Sequence, residues 1–460
     1  MTTSGGAVDA LVVHLRDQLG PASVVTDPEI TAAHAVDWTG RFRAVPVPVL
    51  RPETTSEVVE IVRAARLHGV ALVPQGGNTG LVGGATPCEG GVVVDLRALD
   101  TIDDVDVRAG QLTAGAGATI SSVQAAAEEA GWAYGVDWAA RESATVGGSV
   151  ATDAGGLRFV RHGGTRKQLL GVEAVLGTGQ TVSHLPRVEK DNTGYDLAAL
   201  LCGSEGTLGL VTSARLRLVA PMGPVATALV AFSHIDAAVE AAAVLRRSVV
   251  ALEAAELITS RGVDLVCAAF GLARPLPVEA PVLLLVEVSS VSGRPEDLLT
   301  EVVAGITGVV DAAVAVDGPR RRDLWRYREA QTDAIARLGP AHKFDVTLPV
   351  DELALFIEEV PALVASVSPE AGVWCFGHAA DGNVHVNVTG LDPADETVAG
   401  AVLTAVIDRG GSISAEHGIG RAKKRWLHLA RGESDVASMR AVRSALDPDG
   451  ICNPGVLFPT

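Results

Sequence analysis

The chain has 460 residues and a formal charge of 37 − 55 = −18, too long for one ordinary domain and too acidic to hold a phosphate backbone. Apolar residues make up 48% and charged residues 20%, which excludes a disordered chain. Glycine is enriched, with 50 residues; in a folded protein that means tight turns or backbone held close to a ligand.

Residues 7–20 read as a helix with Leu11, Val12 and Leu15 on one face. The N-terminal stretch Met1 to Leu19 is polar, carries Asp9 and Asp17 and lacks the basic start and apolar run of a secretory signal. Residues 44–50 are extended. Thr55-Ser56-Glu57 opens a helix to His68, with Val58, Ile61, Val62 and Ala65 at helical spacing. Short buried strands follow at 70–74 and 91–95. An Ala-rich helix covers 121–130 and stops at Gly131, and strands are expected at 171–176 and 210–219. The chain breaks at Ala220-Pro-Met-Gly-Pro224 and takes up a new rhythm. Strands at 225–232, 281–288 and 309–316 alternate with helices at 235–249 and 295–306. That pattern suggests an antiparallel sheet covered by helices. Residues 349–367 read as a helix and 384–388 as a strand. The expected fold class is α+β, with domains at 1–220 and 221–407 and a C-terminal segment at 408–460.

The most apolar stretch, 302–316, contains Gly305, Gly308 and Asp311 and is too short to span a bilayer. Cysteines 88, 202, 267, 375 and 452 are odd in number, and no Cys-x-x-Cys occurs, so neither a disulfide framework nor a zinc ribbon is indicated. A cytoplasmic protein without a transmembrane segment is expected.

Three segments concentrate the glycines. Pro74-Gln-Gly-Gly-Asn-Thr-Gly-Leu-Val-Gly-Gly84 follows a strand directly. Its residues permit positive φ, so successive amides can line a concavity for an anion such as a pyrophosphate; the alternative is a long flexible turn. It is neither Gly-x-Gly-x-x-Gly nor a Walker loop. Segment 144–156 is built of small residues and offers a surface for a flat aromatic ligand, or a close helix–strand contact. Segment 203–209 repeats the theme.

Phe376-Gly-His-Ala-Ala-Asp-Gly-Asn-Val-His385 places two histidines seven apart. On one straight strand they would face opposite ways. Asp381-Gly382-Asn383 is a turn signal, however, and a hairpin would bring them together. Such a pair suits zinc or another divalent transition ion, or is two hydrogen-bonded core histidines. Ser412-Ile-Ser-Ala-Glu416-His417-Gly adds a carboxylate and a further imidazole. Arg328 and Thr332 lie four apart in a helical stretch. Lys343, one of only five lysines, lies in the strand-like run His342-Lys-Phe-Asp-Val-Thr-Leu-Pro349.

These segments, with Lys190-Asp-Asn-Thr-Gly-Tyr-Asp-Leu197 and Asp447-Pro-Asp-Gly-Ile-Cys-Asn-Pro454, resemble the vanillyl-alcohol-oxidase (PCMH-type) flavoproteins over almost the whole chain. Within that family they look like the branch of D-2-hydroxyglutarate dehydrogenase, FAD-linked D-lactate dehydrogenase and the glycolate oxidase flavin subunit. The resemblance implies a PCMH-type FAD-binding domain with a substrate-binding cap. It implies FAD held without a covalent link, with His162 the residue to test for one. Gln75, Gly76, Gly77, Asn78, Thr79 and Gly80 would hold the pyrophosphate. Thr145, Gly148, Thr152, Gly155 and Gly156 would line the flavin, and Asn453 would return the tail to it. Asp153 stands where relatives usually have Asn, and Ala380 where they mostly have Gly.

The same resemblance makes His378, His385 and Glu416 the ligands of a divalent metal, zinc or a similar ion, and His417 the catalytic base. Family relatives share Trp-x-x-Arg-Glu, with the Arg near the substrate carboxylate; the Lys-x-Asp-x-Thr-x-Pro form, the Thr four after the Arg and Lys-Asp-Asn-Thr-Gly-Tyr-Asp-Leu look closest to the D-2-hydroxyglutarate branch. There Arg328, Thr332 and Lys343 would bind a distal carboxylate and Asn387 would position the reacting end. The implied reaction is oxidation of a D-2-hydroxy acid to the 2-oxo acid. The electron acceptor would be a quinone or an electron-transfer flavoprotein. The alternatives are a D-lactate or glycolate oxidising enzyme, which has no need of Lys343, and a flavoprotein subunit that only passes electrons.

Overall fold

Residues 4–290 and 293–459 are described in this computed structural model; Met1 to Thr3 of the N-terminal stretch read above lie outside it. The chain divides into two compact units. One comprises the chain up to Gly156, then Gly163–Pro221, then Glu416 onward; the other comprises Leu157–His162 and Met222–Ala415. This differs from a division at 220/221 and 407/408. Residues 408–415 stay with the second unit because Ser412 and Thr347 exchange both backbone hydrogen bonds, at 2.7 and 3.0 Å. The short insertion 157–162 joins it through Arg158, whose Nη1 donates to Glu287 Oε1 at 2.7 Å, and through Arg161, which donates to the Val250 carbonyl.

In the first unit, helix Thr55–His68 begins where Thr54 Oγ1 accepts the Glu57 amide (3.2 Å) and ends where Gly69 turns left-handed at φ +63°. Its face of Val58, Ile61, Val62 and Ala65 is wholly buried, with Leu11 and Leu15 of helix Ser4–Leu19. Each such Val, Leu or Ile side chain contributes about 1.5–3 kcal/mol by leaving water. Both helices share this core with a sheet ordered Val24–Val25, Val49–Leu50, Gly91–Asp95, Ala71–Gln75. The last two strands are parallel. The C-terminal tail lies along Ala71–Gln75: Leu72 N donates to Ile451 O and Asn453 N to Leu72 O, both at 2.8 Å. A second, antiparallel sheet is ordered Gln111–Gly115, Gly209–Arg217, Leu169–Leu176, Thr181–His184.

The second unit is an antiparallel sheet of seven strands: Val309–Ala315, Val225–Phe232, Val282–Ser289, Leu252–Thr259, Gly372–His378, Asn383–Thr389 and Ala341–Thr347. With its helices the chain is α+β, as expected. Strand Leu252–Thr259 (Leu-Glu-Ala-Ala-Glu-Leu-Ile-Thr) is absent from the sequence reading, because Ala, Glu and Leu are helix formers. Its place between two strands overrides that propensity. A second difference lies at Ala330. The expected single helix through Arg328 and Thr332 is split into Gly318–Glu329 and Gln331–Ala336, because the backbone flattens to ψ −3° at Ala330. Among the described residues no helix is long and apolar enough to cross a membrane.

Candidate active site

In the second unit the two histidines meet. Strand Gly372–His378 runs into one turn of tight helix at 379–381, Gly382 takes φ +80°, and strand Asn383–Thr389 returns. Gly382 is required here, since a Cβ would run into the Leu348 carbonyl. The ring centroids of His378 and His385 are 5.3 Å apart, and one nitrogen of each lies within 4.8 Å of one of the other. Ala380 fits this turn, buried, with its carbonyl accepting from Arg246 at 2.9 Å.

Strand register then decides what surrounds the pair. Glu256 lies opposite His378, Asp345 opposite His385, and Lys343 opposite Asn387. Period-two alternation puts Lys343 and Asp345 on one face of their strand, and His385 and Asn387 on one face of theirs. Glu256 Oε1 is 2.6 Å from His378 Nδ1, and its Oε2 accepts from Arg328 Nε at 2.7 Å. Burial alone would raise the Glu256 carboxyl, but the His378 and Arg328 charges and their hydrogen bonds outweigh it and hold it down at about 2. Asp345 Oδ1 is 3.3 Å from His385 Nδ1 and also accepts from Asn383 Nδ2 at 2.8 Å. Both imidazoles thus turn Nδ1 to a buried carboxylate, the arrangement that fixes a histidine as a metal ligand through Nε2.

Arg328 is not a solvated surface cation. It is 7% exposed and lies over the Phe376 ring, 4.6 Å from the centroid. Lys343 is half-buried, and burial lowers its pKa while the charge of Asp333 raises it. Thr332, in the helical turn after Ala330, is half-buried too. Glu256 went unremarked in the sequence because its strand was missed. Asp345 was visible inside Lys-x-Asp-x-Thr but had no role until the register placed it.

In the first unit the three glycine segments come together. A Cβ on Gly76 would meet Thr145 Oγ1, and one on Gly77 would meet the Ser143 carbonyl, so these two glycines let the 76–84 loop lie against 143–145. Asn78 takes φ +53° and its Nδ2 donates to the Val36 carbonyl at 2.9 Å. Gln75 is spent on loop shape: its Oε1 is 2.5 Å from His34 Nδ1 and its Nε2 donates to Ala85 O. Thr79 is half-buried at the loop's centre, and a Cβ on Gly80 would meet nothing within 4 Å. Thr145 caps helix Val146–Thr152 by accepting the Gly148 amide, and Thr152 Oγ1 donates to Gly148 O. Gly147 packs against Ala116, so segment 144–156 is also a close backbone contact. Asp153 ends that helix at φ +52° and binds the Arg166 amide and Nε at 2.9 and 2.8 Å. Gly155 and Gly156 are buried, and the Gly156 amide donates to Glu416 Oε1 at 2.8 Å.

Glu205, in segment 203–209, went unnoticed among the glycines. It is buried at φ +52°, and its carboxylate accepts the amides of Ile419 and Gly420, 2.7 Å each. Burial pushes its carboxyl up to about 7, against those two amides and the Lys423 charge. Asn453 Nδ2 ties the tail to the same place, donating to Gly84 O and Glu205 O at 2.9 and 2.7 Å. Asn453 Oδ1, itself buried, has no hydrogen-bond partner among the described residues. An open, glycine-built loop beside an unanswered acceptor is a donor set that suits a polar cofactor. His417 and Glu416 are half-buried in the turn just before this clasp, and His162 is half-buried at the end of helix Phe159–His162 in the second unit.

Two family models match the chain. Residues 46–184 match the family described as FAD binding domain, and residues 223–457 match FAD linked oxidases, C-terminal domain. The chain is 35% identical, over 98% of each sequence, to D-2-hydroxyglutarate dehydrogenase of Xanthomonas citri pv. viticola. It is 36% identical to D-2-hydroxyglutarate dehydrogenase, mitochondrial, of Bos taurus, over 96% of this chain and 82% of that one. Among solved structures, p-cresol methylhydroxylase with substrate bound aligns with a TM-score of 0.80 at 15% identity, covering 99% of this chain and 97% of the other. Alkyldihydroxyacetonephosphate synthase aligns at 0.73 and 18%, covering 96% and 84%. These two establish a shared PCMH-type fold.

Proposed function

Because the chain belongs to the FAD-linked oxidases, we propose that it oxidises D-2-hydroxyglutarate to the 2-oxo acid and passes the electrons to a quinone or an electron-transfer flavoprotein. The observation that carries the choice of substrate is a pair of cations in the cap, Arg328 on a helix and Lys343 on a strand. Arg328 is held beside His378 by Glu256, and Lys343 stands opposite Asn387 on the strand next to His385. Two cations around one imidazole pair match an acid with two carboxylates.

In this reading the first unit, with the segment from Glu416 onward, binds FAD, and the second unit forms the substrate cap. The loop from Gln75 to Gly80 holds the pyrophosphate by its backbone. Thr145, Gly148, Thr152, Gly155 and Gly156 supply a thin wall for the ring system, and Asn453 Oδ1 supplies an acceptor. Bound there without a covalent link, FAD supplies a hydride acceptor. His378, His385 and Glu416 would hold a divalent ion, zinc by donor type, which would supply Lewis acidity. Arg328, Thr332 and Lys343 grip the distal carboxylate, and Asn387 sets the angle of the reacting end. His417 removes the proton from the hydroxyl oxygen as the Cα hydride leaves. The five free cysteines suit a reducing compartment, which supports the cytoplasm as the setting.

Anaerobic photometry of the purified yellow protein with D-2-hydroxyglutarate, D-lactate, D-malate and glycolate tests the reading. D-2-hydroxyglutarate should bleach the flavin fastest at low concentration, and prior chelation should stop the bleaching. Faster reduction by D-lactate or glycolate would assign the chain to the monocarboxylate branch. Bleaching that survives chelation would remove the metal from the reading.

A further inference from the structure

Glu256 is 1% exposed on a strand paired on both sides, where an ionised carboxylate is costly unless its partners compensate. An apolar side chain would serve the sheet as well, so the fold alone does not explain it. Its two oxygens are divided between two different elements. Oε1 meets His378 Nδ1 across the strand pair at 2.6 Å, and Oε2 takes Arg328 Nε from helix Gly318–Glu329 at 2.7 Å. A carboxylate on Nδ1 holds the proton there, aims Nε2 for coordination and makes it more basic. An acceptor on Nε of an arginine orients the fork, so that its two Nη groups are the part presented to a ligand carboxylate.

We propose that Glu256 is a positioning residue shared by two recognition groups: one oxygen sets His378 for the metal, and the other sets Arg328 for the substrate carboxylate. The inference rests on the roles given above to His378 and Arg328. It adds that the two are coupled through one side chain, so that neither can be reoriented alone. Asp345 faces His385 Nδ1 in the same way, at 3.3 Å, and its Oδ1 also accepts from Asn383 Nδ2.

The test is Glu256→Gln in the full flavin-loaded chain, which keeps shape and removes charge. Zinc affinity is read by competition with a chromophoric chelator, and KM and kcat for D-2-hydroxyglutarate are read at saturating zinc. Zinc binding should weaken by about 10–100-fold. KM should rise even with zinc restored, and Glu256→Asp should recover part of both. Unchanged zinc affinity in Glu256→Gln overturns the proposal. A parent protein that binds no zinc overturns instead the metal reading beneath it. If Glu256→Gln fails to fold, imidazole-nitrogen NMR of the histidine-labelled, cadmium-loaded parent decides. Coupling of cadmium to His378 Nε2 supports the proposal, and coupling to Nδ1 overturns it.

Discussion

Glu256 in the cap sheet and Glu205 in the FAD-binding unit are both buried glutamates, and their carboxyl groups are pushed in opposite directions. Glu256 is held at about 2 and Glu205 is raised to about 7. Burial works against the charge in both. Glu256 meets His378 and Arg328 directly, whereas Glu205 meets two backbone amides, with only the Lys423 charge nearby. At Glu205 the two amide dipoles do not offset the desolvation of the carboxylate; at Glu256 the directly bonded cations do. The first arrangement organises recognition groups. The second clasps the tail segment 418–420, next in sequence to the residues proposed to do chemistry.

The largest effect expected on this comparison comes from the chemistry beside the clasp. Replacing His417 by Ala should lower kcat by about 10²–10⁴-fold while the yellow flavin stays bound, because a general base contributes in that range. Turnover near the parent rate would move the base to another residue.

The two kinds of buried glutamate should also differ in how stability follows pH. Glu205 has a folded pKa of about 7 against an ordinary 4.5, so between those values the native state holds a proton that the unfolded state has lost. Its contribution is full below pH 4.5 and is lost as pH rises through 7, an effect of about 3 kcal/mol. Glu287 is a charge-paired case like Glu256, bound by Arg158, Arg321, Thr227 and Trp325 and held at about 2. Its contribution is present above 4.5 and lost as pH falls through 2, again by about 3 kcal/mol. Melting curves of Glu205→Gln between pH 5 and 8 should therefore lie flatter than the parent's, and those of Glu287→Gln should lie flatter only on the acid side. Parallel curves for Glu205→Gln and the parent would show that Glu205 is charged throughout.

The smallest effect sharpens the substrate side. Lys343→Ala should raise KM for D-2-hydroxyglutarate by an amount worth about 1.5–3 kcal/mol, the usual value of a hydrogen bond to a charged group. Reduction by D-lactate, which has no distal carboxylate, should be unchanged. Equal losses with both acids would place Lys343 in the fold rather than in recognition.

The glycine segments, the His-x6-His motif with its turn and most cap strands were legible as local patterns, because each depends on φ freedom or on period-two spacing within a few residues. Strand Leu252–Thr259 was not. Its Ala, Glu and Leu favour a helix, and only pairing with Val282–Ser289 and Gly372–His378 makes it a strand. The missed strand carried Glu256 with it. Glu205 was hidden differently: its segment was recognised for its glycines, and nothing local shows that its carboxylate reaches amides more than two hundred residues away.

The order of residues along the chain was thus enough for the α+β class, for the two loops-and-sheet halves, and for the FAD-linked family. Those follow from backbone freedom and side-chain chemistry, which are local. Which carboxylate faces which histidine, how Arg328 is aimed, and why one buried glutamate is ionised and the other resists ionisation depend on strand register and on burial. Register joins residues far apart in sequence, and burial sets the cost of a charge, so both arise only when the chain is folded.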